Sequence, residues 1–206
     1  METEIGALAR RQPEHVMTLF DSEASRATAV AAFIAESYQR REPVAVLATG
    51  RHWEAIVAAA GAHAAELSRG LADGASHFCD AEMALHDISR GGYPDRALFD
   101  RFLAGLLARV PAGRVNVYGE LVDVLASRGE FSAAIELEHF WNAGLEVQQI
   151  HLMCGYDATH FASYGAASRL RDLCACHSAT RVSADDALGR WLLGQADVPV
   201  SGLARS

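Results

Sequence analysis

An α/β fold with a mainly parallel, five-stranded sheet and helices on both faces is the fold class that this sequence predicts. Three observations lead there. Short β-rich runs alternate with longer helical ones. One run, Val44-Ala45-Val46-Leu47-Ala48, is continuously apolar, as a strand buried on both faces must be. Half of the 206 residues are apolar, which is enough to fill a single core.

Taken in order, the first strand is His15 to Phe20, followed by Asp21-Ser22 as a cap pair and a helix carrying Ala27, Val30, Ala31, Phe33, Ile34 and Tyr38 at helical spacing. Pro43 restarts the chain as the Val44–Ala48 strand. Trp53, Ile56, Val57 and Ala60 form the next helical stripe, which Gly61 is placed to end. A weaker third strand, His77-Phe78-Cys79, stops at Asp80, and a helical stretch follows through Met83, Leu85 and Ile88. Gly91-Gly92-Tyr93-Pro94 reads as a turn. Asp95 opens the clearest helix, with Leu98, Phe99, Phe102, Leu103, Leu106 and Leu107 on one stripe, closed by Pro111 and Gly113. Val115 to Tyr118 is the fourth strand, followed by a helix that Gly129 stops. Ser132 to Asn142 is a further helix, and Ile150 to Cys154 is the fifth strand. Beyond Tyr156 the pattern weakens into helical pieces at about 168–177 and 184–193 and a loose tail. The expected organisation is a flexible N-terminus over 1–13, one domain over 14–180, and a C-terminal helix and tail over 181–206.

A net charge of −8 and a pI near 5.5 argue against direct contact with nucleic acid. No apolar stretch approaches the roughly 18–20 residues of a membrane span, and Met1–Glu14 holds no signal-peptide core, so a cytoplasmic location is expected. Cys79, Cys154, Cys174 and Cys176 are scattered, which reads as reduced thiols. All 18 basic residues are arginine. Without a lysine, neither Schiff-base catalysis nor a standard phosphate loop is available.

Several ordered blocks carry a resemblance. They are His15-Val16-Met17-Thr18-Leu19-Phe20, Glu42 to Thr49, Tyr118-Gly119-Glu120-Leu121-Val122, Leu137 to Asn142, Cys154-Gly155-Tyr156 and Leu173-Cys174-Ala175-Cys176-His177-Ser178. Together, over about Glu14 to Ser178, the chain resembles the MEDS family, the methanogen/methylotroph sensory domain of bacterial and archaeal regulators, including one that controls dichloromethane breakdown. The resemblance implies a RecA- or KaiC-like fold with a degenerate phosphate loop. Asp21-Ser22-Glu23-Ala24-Ser25-Arg26 agrees, having no glycine and two carboxylates where the loop would grip phosphate. A second histidine often follows the serine of the final block in the family; Ala179 stands there instead.

Ligands of open α/β sheets bind at the carboxyl ends of the strands, an edge expected to gather Asp21, Gly50, Asp80, Tyr118, Glu120, Cys154 and Tyr156. Asp80 either holds a hydrated metal, as after a Walker B strand, or caps the next helix. Glu120, directly after Gly119 and with no cation at i+4, is a candidate lining residue. Cys174 and His177 lie at i, i+3, and Cys154 could complete a three-ligand metal set; the alternatives are ligand contact, or packing and capping only. His15 is expected to make a buried hydrogen bond or touch the ligand, whereas His52, His63, His86, His139 and His160 are expected to be solvated. In a RecA-like sheet the first strand is flanked by the fourth and fifth, which would bring Glu120, Cys154 and His177 to one accessible crevice.

The expected ligand-binding set is therefore His15, Asp21, Tyr118, Glu120, Cys154, Tyr156 and His177, with no catalytic residue and no assigned metal. The expected function is a stand-alone sensory domain that binds a small, partly apolar organic molecule and signals through a regulator or kinase partner in signal transduction or transcription regulation. No ATP is expected as cofactor, no contact with nucleic acid or membrane is expected, and a homodimer is compatible. The rivals are a small-molecule enzyme using Glu120 and Cys154 and a ligand-free interaction scaffold.

Overall fold

The computed structural model describes residues 14–163, 166–183, 186–199 and 203–204. The expected flexible segment 1–13 lies outside them. The strands are β1 (Glu14–Phe20), β2 (Val44–Ala48), β3 (Ser76–Asp80), the two-residue β4 (Ser89–Arg90) and β5 (Tyr93–Pro94), β6 (Val115–Gly119), β7 (Ile150–Asp157), β8 (Ala179–Ser183) and the two-residue β9 (Leu203–Ala204). The helices are α1 (Glu23–Gln39), α2 (Gly50–Ala59), α3 (Ala64–Asp73), α4 (Ala81–Asp87), α5 (Arg96–Leu107), α6 (Leu121–Ser127), α7 (Phe131–Val147), α8 (Ala166–Ala175) and α9 (Ala187–Gln195).

The main sheet runs β3-β2-β6-β7-β1-β8-β9, and every pairing in it is parallel. Hydrophobic patterning explains the order. The interior strands β2 and β6 are buried along their whole length, whereas β3, at the edge, is half-buried over most of its residues. β4 and β5 form a separate antiparallel hairpin, turned by Gly91 and Gly92 at φ of +61° and +82°, a region that suits glycine. Helix starts follow the sequence cues: Ser22, Asp80 and Asp95 each accept backbone N–H bonds as N-caps of α1, α4 and α5.

Three expectations need correction. The sheet has seven strands, not five, because Ala179–Ser183 and Leu203–Ala204 add to its edge. The first strand is flanked by β7 and β8; β6, the expected neighbour, lies beyond β7. Strand β7 continues to Asp157, so Cys154 is in mid-strand and not at a strand end. β8 also runs across the expected boundary at 180/181, and Leu192 and Leu193 of α9 belong to the same core as α7 and α8.

Alternation along the strands sends side chains to two cores. Met17, Leu19, Leu47, Val117, Leu152 and Cys154 point into the larger one, beneath helices α4 to α9. Val44, Val46, Tyr118, Met153 and Phe20 point into the smaller one, against α1, α2 and α3.

Candidate functional site

Four elements bring chemistry to one point inside the larger core. His15 comes from the start of β1, Glu138 from α7, Cys154 from β7, and His177 from the turn after α8, and their donor atoms all lie within 4.8 Å of one another. The local reasons are simple. Met17 sits opposite Cys154 in the parallel register, so His15 and Cys154, each an even number of residues from a core position of its strand, face α7. Glu138 lies in the apolar stripe of α7, four residues after Ala134 and three before Trp141, and is fully buried.

The hydrogen bonds fix the tautomers. His177 Nδ1 is 2.8 Å from the Leu173 carbonyl, which can only accept, so Nδ1 carries the proton. Asn142 Nδ2 donates to the Cys176 carbonyl at 2.9 Å, which turns its Oδ1 toward His15 Nδ1 at 2.8 Å and makes that nitrogen the donor. Both Nε2 atoms therefore face the carboxylate: His15 Nε2 is 3.1 Å from Glu138 Oε2, and His177 Nε2 is 3.2 Å from Oε1. The His177 contact lacks hydrogen-bond geometry, and Nε2 is left buried with no hydrogen-bond partner among the described residues. Tyr156 donates its hydroxyl to Glu138 Oε1. His15 Nε2 is also 3.3 Å from Cys154 Sγ.

Burial would push the Glu138 carboxyl upward, but the adjacent His177 and His15 outweigh it and hold it far below the ordinary carboxylate range. Burial would lower His15, yet Glu138 and the bond to Asn142 raise it. Burial, followed by the Glu138 charge, pushes the Cys154 thiol and the Tyr156 phenol well above their usual values. Burial also lifts Cys174 and Cys176 to about 11. None of these three thiols is an activated nucleophile; the cluster is instead a dry set of nitrogen, oxygen and sulfur donors.

A second constellation occupies the carboxyl edge of the sheet. Arg26 of α1, 2% exposed, lies 3.2 Å from Glu120 Oε1 and 2.9 Å from Asp123 Oδ2. Tyr118 donates to Glu120 Oε1 at 2.7 Å, and its ring crosses β7 where only a glycine fits: a Cβ on Gly155 would fall 2.8 Å from the ring. Glu120 Oε2 takes the Thr49 backbone N–H and approaches His52 Nδ1 at 2.8 Å. Asp123 Oδ1 takes the Asp157 N–H and meets His160 Nδ1, both at 2.9 Å. His52 and His160, expected to be solvated, are thus tied to buried carboxylates because Glu120 and Asp123 each have a second oxygen that Arg26 leaves open.

The Asp123 bond raises the His160 pKa above its usual 6.5, with burial opposing and the nearby Asp157 and Arg26 acting in opposite senses. A raised folded-state pKa stabilises below the unfolded value and loses that stabilisation as pH rises through the folded value. Urea midpoints of wild type and His160→Gln should therefore differ more at pH 5.5 than at pH 8.5. Equal differences at both would show that the imidazole contributes only as a neutral hydrogen bond.

Of the expected residues, His15, Cys154, Tyr156 and His177 converge, and Tyr118 and Glu120 form part of the second constellation. Glu120 and Cys154 are not brought together: Gly119 and Cys154 are backbone partners, but the Glu120 carboxylate turns to the α1 side and Cys154 to the α7 side. The enzyme pairing of these two loses its geometry. Cys154 is fully buried, so the expected accessible thiol at a crevice is also corrected. Asp21 is exposed and, among the described residues, its side chain bonds within its own turn, through Ser25. Asp80 caps α4, accepting from Glu82 N and Met83 N at 3.0 Å. Cys174 lies beside Met17 Sδ at 3.5 Å, outside the cluster, because α8 ends at Ala175 and the turn carries His177 away from it. Glu138, Asn142 and Arg26 were not expected. A surface cleft of 370 Å³ opens elsewhere, between the β4–β5 hairpin, the α6–α7 turn and Arg169.

This parallel α/β domain thus encloses a histidine–carboxylate–thiol cluster inside its larger core. Residues 14–178 match the MEDS family, described as the MEthanogen/methylotroph, DcmR Sensory domain, and the chain belongs to that family of sensory domains. A search of curated proteins found no match. No helix among the described residues is long and apolar enough to cross a membrane.

Proposed function

We propose that this sensory domain binds a small, partly apolar organic molecule at the His15–Glu138–Cys154–His177 cluster and passes the bound state to a regulator or kinase partner. One observation carries the reading. A fully buried carboxylate, thiol and phenol with two imidazoles stand in a core that apolar side chains would fill at least as stably, so their presence calls for a role beyond packing. We further read the sheet as a RecA-like plan without its phosphate grip. In support, the β1–α1 turn is Asp21-Ser22, and Arg26, the first cation of α1, is held by Glu120 and Asp123. Neither ATP binding nor ATP hydrolysis is expected.

Thermal-shift titration of the full chain with halomethanes, methylamines and short alcohols tests this. At least one class should raise the melting temperature with concentration, with a weaker shift in His177→Gln, whereas MgATP should give neither a shift nor phosphate release. No shift from any organic class would remove the sensing reading. ATP turnover that disappears in Arg26→Met would remove the nucleotide-free one.

A further inference from the structure

We propose that His15, Glu138, Cys154 and His177 bind one divalent first-row transition-metal ion of zinc type. The inference concerns the same site as the sensing function above. It rests first on donor geometry. Around a tetrahedral ion with nitrogen and oxygen at about 2.0–2.2 Å and sulfur at about 2.3 Å, donors lie roughly 3.3–3.7 Å apart. His15 Nε2 is 3.3 Å from Cys154 Sγ and 3.1 Å from Glu138 Oε2, and Cys154 Sγ is 3.8 Å from the same oxygen, so one edge has that size and the other two lie just outside the range. His177 Nε2 is within 4.8 Å of every other donor, a gap that a side-chain adjustment closes.

The surrounding bonds are those a metal site needs. Each ligating histidine donates Nδ1–H to a fixed oxygen, Asn142 Oδ1 for His15 and the Leu173 carbonyl for His177, which presents the Nε2 lone pair inward. Asn142 is itself held by the Cys176 carbonyl, and Tyr156 anchors the Glu138 oxygen that does not face Cys154. A purely protein-internal cluster leaves one fact unaccounted for: His177 Nε2 is buried without a hydrogen-bond partner among the described residues. An ion at the centre of the four donors supplies that partner. Two imidazoles, one thiolate and one carboxylate suit zinc or cobalt(II), whereas an oxygen-only set would suit magnesium or calcium.

The test uses the full chain, stripped with a chelator and titrated with cobalt(II) and then zinc. One equivalent of cobalt should give the visible bands of a tetrahedral site and a sulfur-to-cobalt charge-transfer band, which zinc displaces. Zinc at about a hundredfold above its Kd should raise the melting temperature by roughly 5–10 °C. Cys154→Ser should abolish the charge-transfer band, and Cys79→Ser, on the distant β3, should keep it. A folded wild-type chain that shows neither band nor zinc stabilisation overturns the proposal, as does a charge-transfer band that survives in Cys154→Ser. The wild-type readouts decide the matter even if Cys154→Ser does not fold. Failure here with intact organic-ligand shifts leaves the sensing reading standing, and metal binding without any such shift does the reverse.

Discussion

Replacing Arg26 by alanine is expected to destabilise the protein by about 3–5 kcal/mol, the cost of breaking a buried ion pair by removing one partner. Glu120 and Asp123 are both buried and both use Arg26 as their guanidinium partner; without it, two carboxylates would share a desolvated site. The guanidinium is held firmly in its charged form: burial opposes this, but Tyr118, Asp123 and Glu120 outweigh it. Adding Asp123→Asn should restore part of the loss, because it removes one of the stranded charges. Chemical denaturation measures both variants. A change below about 1 kcal/mol in Arg26→Ala would mean that water replaces the guanidinium and that the edge is open in solution.

Trp141→Ala is expected to cost about 3–5 kcal/mol by leaving a large cavity in the main core. Trp141 is 1% exposed and meets Phe99 of α5 edge to face at 5.0 Å, with Phe140 against the same ring at 5.8 Å. Glu138 is three residues before it on α7, so collapse of the cavity would also shift the carboxylate toward or away from its histidines. The measurement is the urea midpoint and slope. A wild-type midpoint would show that α5 closes the gap without loss.

Much of this fold was legible wherever one residue class dominates. The apolar run of β2, the stripe of α5, and the caps Ser22 and Asp95 read directly from the sequence because local chemistry alone decides them. β8 was missed. Its two inward residues are Thr180 and Val182, so a period-two signal exists but is only five residues long and follows a cysteine- and histidine-rich segment that reads as helix. Three of the four cluster residues were legible in the sequence, His15, Cys154 and His177. Glu138 was overlooked because a carboxylate on a helix reads as solvated by default. The signal that would have found it is its position inside the stripe of Ala134, Leu137, Trp141 and Leu145. Arg26 escaped in the same way, flanked by Ala27, Val30 and Ala31 of the buried face of α1. Pairing across the sheet was legible only in part: β7 stands beside β1 as the RecA-like plan implied, whereas β8, from later in the chain, takes the place expected for β6.

That pairing has a kinetic side. β1 leaves the ribosome before the other described strands, yet its two neighbours, β7 and β8, come much later in the chain. Contacts between such distant segments form slowly, because long loops must close before any pairing energy is gained. Until residues near 157 are available, Met17 and Leu19 have no neighbouring strand to join, and the last partner of His15, His177, follows only after α8. The centre is therefore completed late, so a chain truncated before His177 should lack the fourth donor of the cluster. Such a nascent chain holds an apolar β1 uncovered for most of its synthesis, the condition under which a folding helper in the cell is most useful.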